Sequence, residues 1–407
     1  MTQATEILGA SRASHARIVG VISAAHFVSH YYILILAPLL PFVRDAYGVS
    51  YTEIGLALAA FNIVTGTLQT PAGFLVDWLG ARVILIIGLL IGATAFVVVG
   101  LVDSFWVLVA MFGLAGVGNT VYHPADYALL SQHVPPERIG HAFSIHTFAG
   151  MMGSAVAPAS LLIMQSVWGW RGAFIGAGLF GFAVAAILLM VRDKAPAYAA
   201  STAPRAGMDK SVEGWRLLLS TPILMNLFFF ILIAMISGGM FNYSVVALGV
   251  LYGTPAAVAN SALSSLLLLS AIGVLVGGVA ATRVSRHAFV AALGLAAMAL
   301  TAALIAQFDL GTVLLVLVMT TFGFFYGVIM PSRDMIVREI TPPGSFGKVF
   351  GFVTTGFNIG GIVSPLIFGA IMDHGSPRLV FVAVAIFALL SVFTVMTLPR
   401  TLPRTAV

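Results

Sequence analysis

Residues 73–82 read Gly-Phe-Leu-Val-Asp-Trp-Leu-Gly-Ala-Arg and separate two long apolar stretches of the chain. Gly73 and Gly80 permit close backbone approach or unusual dihedral angles. Asp77 and Arg82 can tie the ends of the two flanking helices together through their charges. Because each flanking stretch has the length of a membrane-spanning helix, we interpret this segment as a tight cytoplasmic turn between two such helices.

The same pattern of long apolar runs, bounded by charges or by Gly/Pro turns, extends over the whole chain. The 407 residues are 60% hydrophobic and only 8% charged, with a mean hydropathy of +1.06 and no cysteine. This composition excludes a soluble enzyme, a nucleic-acid-binding domain and a disordered chain. Spans 1 to 12 are predicted, in this order, at 17–43, 51–76, 82–102, 104–131, 140–164, 171–191, 219–250, 256–281, 286–306, 310–338, 347–371 and 378–398.

The basic residues predict the orientation of these spans. With the N-terminus in the cytoplasm, 15 of the 19 Lys and Arg residues fall on the cytoplasmic side and three on the other, and Arg333 lies within a span. The positive-inside rule favours this topology, which places both termini in the cytoplasm. The polar stretch 192–216 then reads as a cytoplasmic linker between two six-helix halves, residues 1–191 and 217–407.

The two halves match without a gap at an offset of 207 residues from span 4 through span 5. Recurrence at one offset indicates an internal duplication, and parallel six-helix repeats around a central cavity are a known transporter plan. The matching prolines and glycines are Pro124 and Pro331, Pro135 and Pro342, Pro136 and Pro343, Gly140 and Gly347, Gly153 and Gly360, and Pro158 and Pro365.

The turn at residues 73–82 resembles the loop signature of the major facilitator superfamily. It departs from that signature at Trp78 and Ala81, where basic residues are usual, and the second-half copy carries Thr282 in place of the aspartate. The resemblance implies an all-α membrane protein with twelve transmembrane helices in two pseudo-symmetric six-helix bundles. It also implies a role in conformational change for the turn residues Gly73, Asp77, Gly80 and Arg82.

Spans 4 and 5 resemble the fosmidomycin-resistance branch of that superfamily, whose members are proton-driven drug exporters. The resemblance rests on the His123-Pro124 pair after a glycine-rich helical turn and on Gly150-Met-Met-Gly153. The Gly/Pro segments that end at Pro158 and Pro365 resemble an exporter motif that supports gating, although ordinary helix packing explains them equally well. The arginine that many such antiporters carry early in span 4 is missing.

Polar side chains within the spans are the candidates for substrate contact, because they are costly in the membrane and usually face a cavity. The alternative for each histidine is a hydrogen bond between helices. The candidates are His26, His30, Tyr31, Asn62, Gln69, Asn119, His123, Tyr127, His146, Asn242, Tyr243, Tyr326, Arg333 and Asn358.

Two charged positions have more specific predicted roles. Asp126, helped by His123, is expected to carry the coupled proton, because both lie on one polar stripe of span 4. Arg333 can bind a carboxylate or phosphonate, or it can snorkel to the interface. Since Asp126 and Arg333 are equivalent at the 207-residue offset, we also expect them to pair as a cytoplasmic gate.

The sequence therefore predicts a transporter rather than an enzyme. It contains neither a nucleotide-binding GxxxxGK[ST] motif nor an HExxH or GxSxG arrangement, and we expect no cofactor. The predicted activity is proton-coupled movement of a small, possibly anionic, organic solute across the inner membrane by a monomer, with export favoured and no nucleic-acid partner. A carboxylate importer and a transition-metal or metal-chelate transporter remain alternatives. His26 and His30 have metal-ligand spacing, and His123 with Asp126 could complete a site, but no residue is assigned as a metal ligand.

Overall fold

The computed structural model of the protein is helical throughout the residues that it describes, which are 2–135, 138–190, 216–284, 286–342 and 346–397. The predicted linker 192–216 lies almost entirely outside them. The helices are Thr2–Ile33, Leu36–Tyr47, Tyr51–Leu79, Ala81–Leu101, Phe105–Asn119, Tyr122–His133, Ile139–Met190, Thr221–Ser237, Ser244–Tyr252, Ala256–Arg283, His287–Gln307, Gly311–Glu339, Phe346–Asp373 and Arg378–Thr397, with a π-helical turn at Gly238–Tyr243.

Eleven helical stretches of the described chain are long and apolar enough to cross a membrane. One of them, Ala142–Met190, has 49 residues and would extend about 74 Å as a straight helix, more than twice the thickness of a bilayer core. It is interrupted at Gly169, whose backbone has a φ of 70° and a ψ of 172°. Glycine adopts this conformation without a Cβ clash, so the stretch supplies spans 5 and 6, and the twelve predicted spans are accounted for.

Spans 1, 4 and 7 are each interrupted near their middle. Span 1 breaks between Ile33 and Leu36, span 4 breaks between Asn119 and Tyr122, and span 7 contains the π-helical turn Gly238–Tyr243. Irregular backbone at membrane depth is tolerated where it is buried in protein or lines a cavity, and π-turns are frequent at functional sites. The breaks in spans 1 and 4 lie within a few residues of the polar side chains described below.

Contacts divide the chain into two packed units, Met1–Ile35 with Ile63–Arg205, and Leu36–Asn62 with Ala206–Val407. The division into bundles at the linker stays a prediction, because packing in one conformation does not define the bodies that move. Within the second unit, span 2 begins with a capping box in which Ser50 N–H donates to Glu53 and Glu53 N–H donates to Ser50 Oγ. Asp373, at the end of span 11, accepts from the backbone N–H groups of Tyr51 and Thr52, at 2.6 and 2.8 Å.

The internal duplication is visible in how each unit packs. A Cβ added to Gly153 in span 5 would collide with the backbone of Phe27 in span 1, and one added to Gly360 in span 11 would collide with Ala234 in span 7. These two contacts are related by the offset of 207 on both sides. Small residues at such crossings let helix backbones approach closely, so the same helix crossing occurs once in each unit.

The turn at residues 73–82 joins spans 2 and 3 directly. The helix of span 2 ends at Leu79, Gly80 follows with a φ of +91°, and the helix of span 3 begins at Ala81. Arg82 donates from Nη2 to the carbonyl oxygen of Leu188 at 2.9 Å, near the C-terminal end of span 6. Unpaired carbonyls at a helix end attract a cation, so Arg82 ties the turn to a third helix. The side chain of Asp77 lies outside the described residues.

Candidate functional site

The first unit contains a buried cluster of two histidines and one aspartate. His26 Nδ1 lies 3.4 Å from Asp126 Oδ2, and His146 Nε2 lies 3.6 Å from the same oxygen. The three residues are at most 3% exposed. One ligand atom from each residue lies within 4.8 Å of those of the other two. Residues separated by as many as 120 positions in the chain thus converge on one carboxylate.

Three helices and one glycine build this cluster. His26 comes from Thr2–Ile33, Asp126 from Tyr122–His133 and His146 from Ile139–Met190. The rings of His26 and His146 stack with centroids 3.9 Å apart. A Cβ on Gly150, one helical turn after His146, would lie 2.6 Å from His26 Nε2. Only glycine therefore leaves room for the rings at this crossing of spans 1 and 5.

Two further histidines extend the cluster from its buried centre. The His30 ring centroid is 4.7 Å and the His123 centroid 5.3 Å from that of His26. The Nδ1 atom of His30 lies 3.3 Å from Ser154 Oγ. His30 is partly exposed, whereas His123 and its stacking neighbour Tyr127 are exposed. The group therefore runs from accessible side chains to a fully buried carboxylate, and we refer to these four histidines and Asp126 as the histidine cluster.

The centre of the histidine cluster is short of hydrogen bonds. Five of its nitrogen and oxygen atoms are buried without a hydrogen-bond partner in the described part of the chain: His26 Nδ1, both oxygens of Asp126 and both ring nitrogens of His146. Each unsatisfied buried polar group costs about 1–3 kcal/mol. Five such groups at one place indicate a function for these atoms, since an apolar core would not carry this unfavourable free energy.

The second unit carries a different charged group at the equivalent position of the repeat. Arg333 donates from Nε to Asp334 at 2.8 Å, and its guanidinium carbon lies 4.9 Å from the ring centroid of Phe230 and 5.1 Å from that of Phe357. Its Nη1 atom also lies 2.9 Å from Met330 Sδ. The side chain is 11% exposed and is packed against these aromatic rings, whereas that of its partner Asp334 is 43% exposed.

Comparison at the 207-residue offset shows how the two units differ. Asp126 corresponds to Arg333, but His26 and His146 correspond to Ile233 and Val353, which are fully buried and apolar. Gly150, which lies against the ring of His26, corresponds to Phe357, which lies against the guanidinium of Arg333. The repeat therefore preserves the backbone arrangement, while a titratable centre in one unit is replaced by a caged cation in the other.

The other predicted substrate residues are dispersed, and the structure tests none of their roles. Tyr31 donates or accepts a hydrogen bond with Ser160, Asn62 donates to the carbonyl of Leu58, and Tyr243 is fully buried and donates to the carbonyl of Pro365. Gln69 is exposed, Asn119, Asn242 and Asn358 are partly exposed, and Tyr326 is buried against Phe241. Pro158 and Pro365 are buried within unbroken stretches of helix.

Sequence reasoning missed the groups that hold the charged side chains. Phe230, Phe357 and Met330 around Arg333 looked like ordinary apolar span residues, and Ser154 was one of several small residues in span 5. The offset of 207 indicated two of these positions, because Phe357 is equivalent to Gly150 and Met330 is equivalent to His123. A paired reading of the two halves would have marked these positions as neighbours of Arg333.

Comparison with known proteins agrees with the fold. A family model described as Major Facilitator Superfamily matches residues 22–254 and 227–406. Among solved structures, a variant of the nucleoside transporter NupG is similar, with a TM-score of 0.79 at 15% identity over 94% of this chain and 99% of that chain. A bacterial homologue of the human lysosomal transporter Spinster gives a TM-score of 0.75 at 14% identity, over 94% and 96% of the two chains.

Curated relatives are transporters of several kinds. The fosmidomycin resistance protein of Escherichia coli K12 is 23% identical over 390 residues, which are 93% of this chain and 92% of the relative. A protein of the same organism described as a probable L-galactonate transporter is 31% identical over 143 residues, 35% of this chain and 32% of that protein. A probable sulfoacetate transporter of Cupriavidus necator is 28% identical over 162 residues, 40% of this chain and 37% of that protein.

These last two matches cover only about a third of the relatives' own length, whereas the family model covers most of this chain. The family match, the helical stretches able to cross a membrane and the similarity to solved transporter structures all agree. The protein is a multi-pass membrane protein, its relatives are transporters and not enzymes, and the chain belongs to the Major Facilitator Superfamily.

Proposed function

We propose that this protein is a proton-coupled secondary transporter that moves a small anionic organic solute across the inner membrane by alternating access. The observation that carries the proposal is the buried carboxylate of Asp126 between His26 and His146. A coupled transporter needs a group that gains and loses a proton within the membrane, and buried acids and histidines serve this purpose in pumps. Both termini are proposed to lie in the cytoplasm and the active unit to be a monomer.

The proton step uses the order of exposure within the histidine cluster. His123 is accessible, His26 is buried, and Asp126 is fully buried. A proton reaching His123 passes by way of the adjacent imidazole of His26 to Asp126 Oδ2, and each ring accepts a proton on one nitrogen while releasing another from its second nitrogen. Neutralising Asp126 removes a buried charge, which lowers the cost of a conformation in which the cluster loses its water access.

The substrate step uses Arg333. A guanidinium that is always protonated attracts an anion, and its planar fork matches a carboxylate. Phe230 and Phe357 fix the plane of that fork, and Asp334 occupies only part of its donors. An incoming anion therefore competes with Asp334 for a positioned cation. The solute classes that this chemistry fits are carboxylates and phosphonates.

Export is favoured because a relative that matches nearly the whole chain is a resistance protein. The runner-up is an importer of organic anions, which the shorter matches to L-galactonate and sulfoacetate transporters support. A transition-metal or metal-chelate transporter is the third candidate, and it depends on whether the histidine cluster binds a metal ion.

Reconstituted vesicles test the proposal. A thermal-shift screen of the purified protein with carboxylates, phosphonates, drugs and divalent metals first selects a solute. We then expect that solute to move against its gradient when a pH gradient is imposed, and a protonophore to abolish this movement. Export requires the solute and protons to cross in opposite directions. Movement in the same direction would support the importer, and movement unaffected by the protonophore would reject proton coupling.

A further inference from the structure

The arrangement of donors around Asp126 resembles a metal site more closely than a hydrogen-bonded network. Asp126 Oδ2 lies 3.4 Å from His26 Nδ1 and 3.6 Å from His146 Nε2, and neither pair forms a hydrogen bond. In a tetrahedral zinc site with ligand distances of about 2.0–2.1 Å, neighbouring ligand atoms are about 3.3–3.4 Å apart. These two separations are close to that value, and the ligand atoms of His26 and His146 lie within 4.8 Å of each other.

The chemistry of the donors narrows the class of ion. Two imidazoles and one carboxylate, with no sulfur, suit borderline divalent ions such as Zn²⁺, Co²⁺ and Ni²⁺. These ions need deprotonated ligands, and the buried atoms that would serve are those found without partners. Zinc sites that exchange ligands have three protein ligands and one open position. Three protein donors also meet here.

An ion also needs a path to the buried ligands. His123 is exposed and His30 is partly exposed, and both rings lie against that of His26. Their imidazoles can hand an ion inward by ligand exchange. Second-unit residues at the equivalent positions, Ile233 and Val353, carry no ligand atoms, so the site is specific to the first unit.

We propose that His26, Asp126 and His146 form a binding site for a divalent transition-metal ion, with His30 and His123 lining its entrance. The site follows from the geometry of the histidine cluster and does not rest on proton coupling. Because ion binding is measured at equilibrium without a gradient, failure of this proposal and failure of proton-coupled transport are distinguishable.

The experiment uses the full chain purified in detergent through a tag that contains no histidine, after treatment with a chelator. Calorimetric titration with Zn²⁺ alone should show one saturating equivalent. His26→Gln and His146→Gln should each weaken binding of Zn²⁺ by more than about tenfold. Substitutions of residues that only contact the ligands already weaken metal binding by about that much. Two matched controls, His287→Gln at a buried histidine of the second unit and His374→Gln at an exposed one, should bind as the wild type does.

Co²⁺ provides a readout that does not depend on the variants folding. Wild-type protein should give the intense visible absorption of four-coordinate Co²⁺, and Zn²⁺ should displace it. The proposal is overturned if the wild type shows only the weak absorption of six-coordinate Co²⁺, if it binds no stoichiometric Zn²⁺, or if folded His26→Gln and His146→Gln proteins bind Zn²⁺ as tightly as the controls do.

Discussion

At the scale of single residues, the main question is how the protein offsets the free energy of burying the Asp126 carboxylate. Its carboxylate is fully buried, and the nearest ion-pairing groups are two histidines that are themselves buried. A carboxylate in such surroundings is stable only if it is protonated, paired with a cation or bound to a metal. Asp126 can therefore bind a proton, pair with Arg333 in the predicted gate or bind a metal ion, and each of these roles can be tested separately.

Asp126→Asn should abolish solute movement driven by a pH gradient, because an amide cannot exchange a proton. Exchange of labelled for unlabelled solute should persist in part, since it requires no net proton transfer. The comparison of gradient-driven uptake with exchange in vesicles measures the effect. Asp45→Asn, at an exposed carboxylate outside the cluster, is the matched control and should retain both activities. Unchanged pumping by Asp126→Asn would remove this residue from the mechanism.

Gly150→Ala should disturb the histidine cluster without altering any of its ligand atoms. The new methyl would lie 2.6 Å from His26 Nε2 and 2.9 Å from His30, and overpacking of this kind costs about 1–3 kcal/mol. We expect a lower unfolding temperature in detergent together with loss of transport. Gly20→Ala, in the same helix as His26 but facing open space, should leave both unchanged or raise stability slightly. Equal behaviour of the two variants would contradict the packing argument.

At the scale of helices, the turn between spans 2 and 3 connects more elements than its sequence shows. Arg82 reaches the last turn of span 6 and bonds to the carbonyls of Leu188 and Leu189. Gly80 makes the turn possible through its positive φ. One short segment thus holds the adjacent ends of three helices, all within the first unit, and its side chains can favour one arrangement of those ends over another.

Asp77→Asn should therefore change the rate of conformational exchange and leave the solute contacts intact. We expect turnover in vesicles to fall sharply while solute affinity in detergent changes only modestly. Arg82→Gln removes the contact with span 6 directly and should produce the same pattern. A variant of Asp77 with wild-type turnover would sink the idea that this residue controls the turn.

At the scale of the whole molecule, the duplication gives two units that share a helix crossing but differ in their chemistry. The crossing at Gly153 and Phe27 recurs at Gly360 and Ala234, so the packing of spans 1 and 5 is repeated in spans 7 and 11. Asp126 and Arg333 are opposite charges at equivalent positions, and in this structure each has a partner in its own unit: the histidines for Asp126 and Asp334 for Arg333.

The predicted gate requires that these two charges exchange partners during the transport cycle. Asp126→Asn and Arg333→Gln should each impair transport, and the combination Asp126→Arg with Arg333→Asp should restore part of it. A double-mutant cycle on the free energy of cytoplasmic closure should give a coupling of about 0.5–3 kcal/mol. Additive effects in that cycle would reject the pairing and leave both residues with functions inside their own units.

The sequence by itself determined the number of spans, their predicted orientation and the register of the duplication. These features depend on local properties: runs of about 20 apolar residues, the sides on which Lys and Arg fall, and prolines that recur at one offset. It also identified Asp126, His26 and His146 as polar residues within spans. It left their association open, because each lies on a different helix and they are as far as 120 residues apart.

Only the tertiary structure decided that these side chains meet, and that Arg333 is enclosed by Phe230 and Phe357. The physical reason is that hydropathy places a helix across a membrane but does not fix its rotation. Lipid tails are as apolar as the helix surface, so rotation is set by packing at small residues such as Gly150 and Gly153. Because those glycines let spans 1 and 5 approach closely, the rings of His26 and His146 stack next to Asp126.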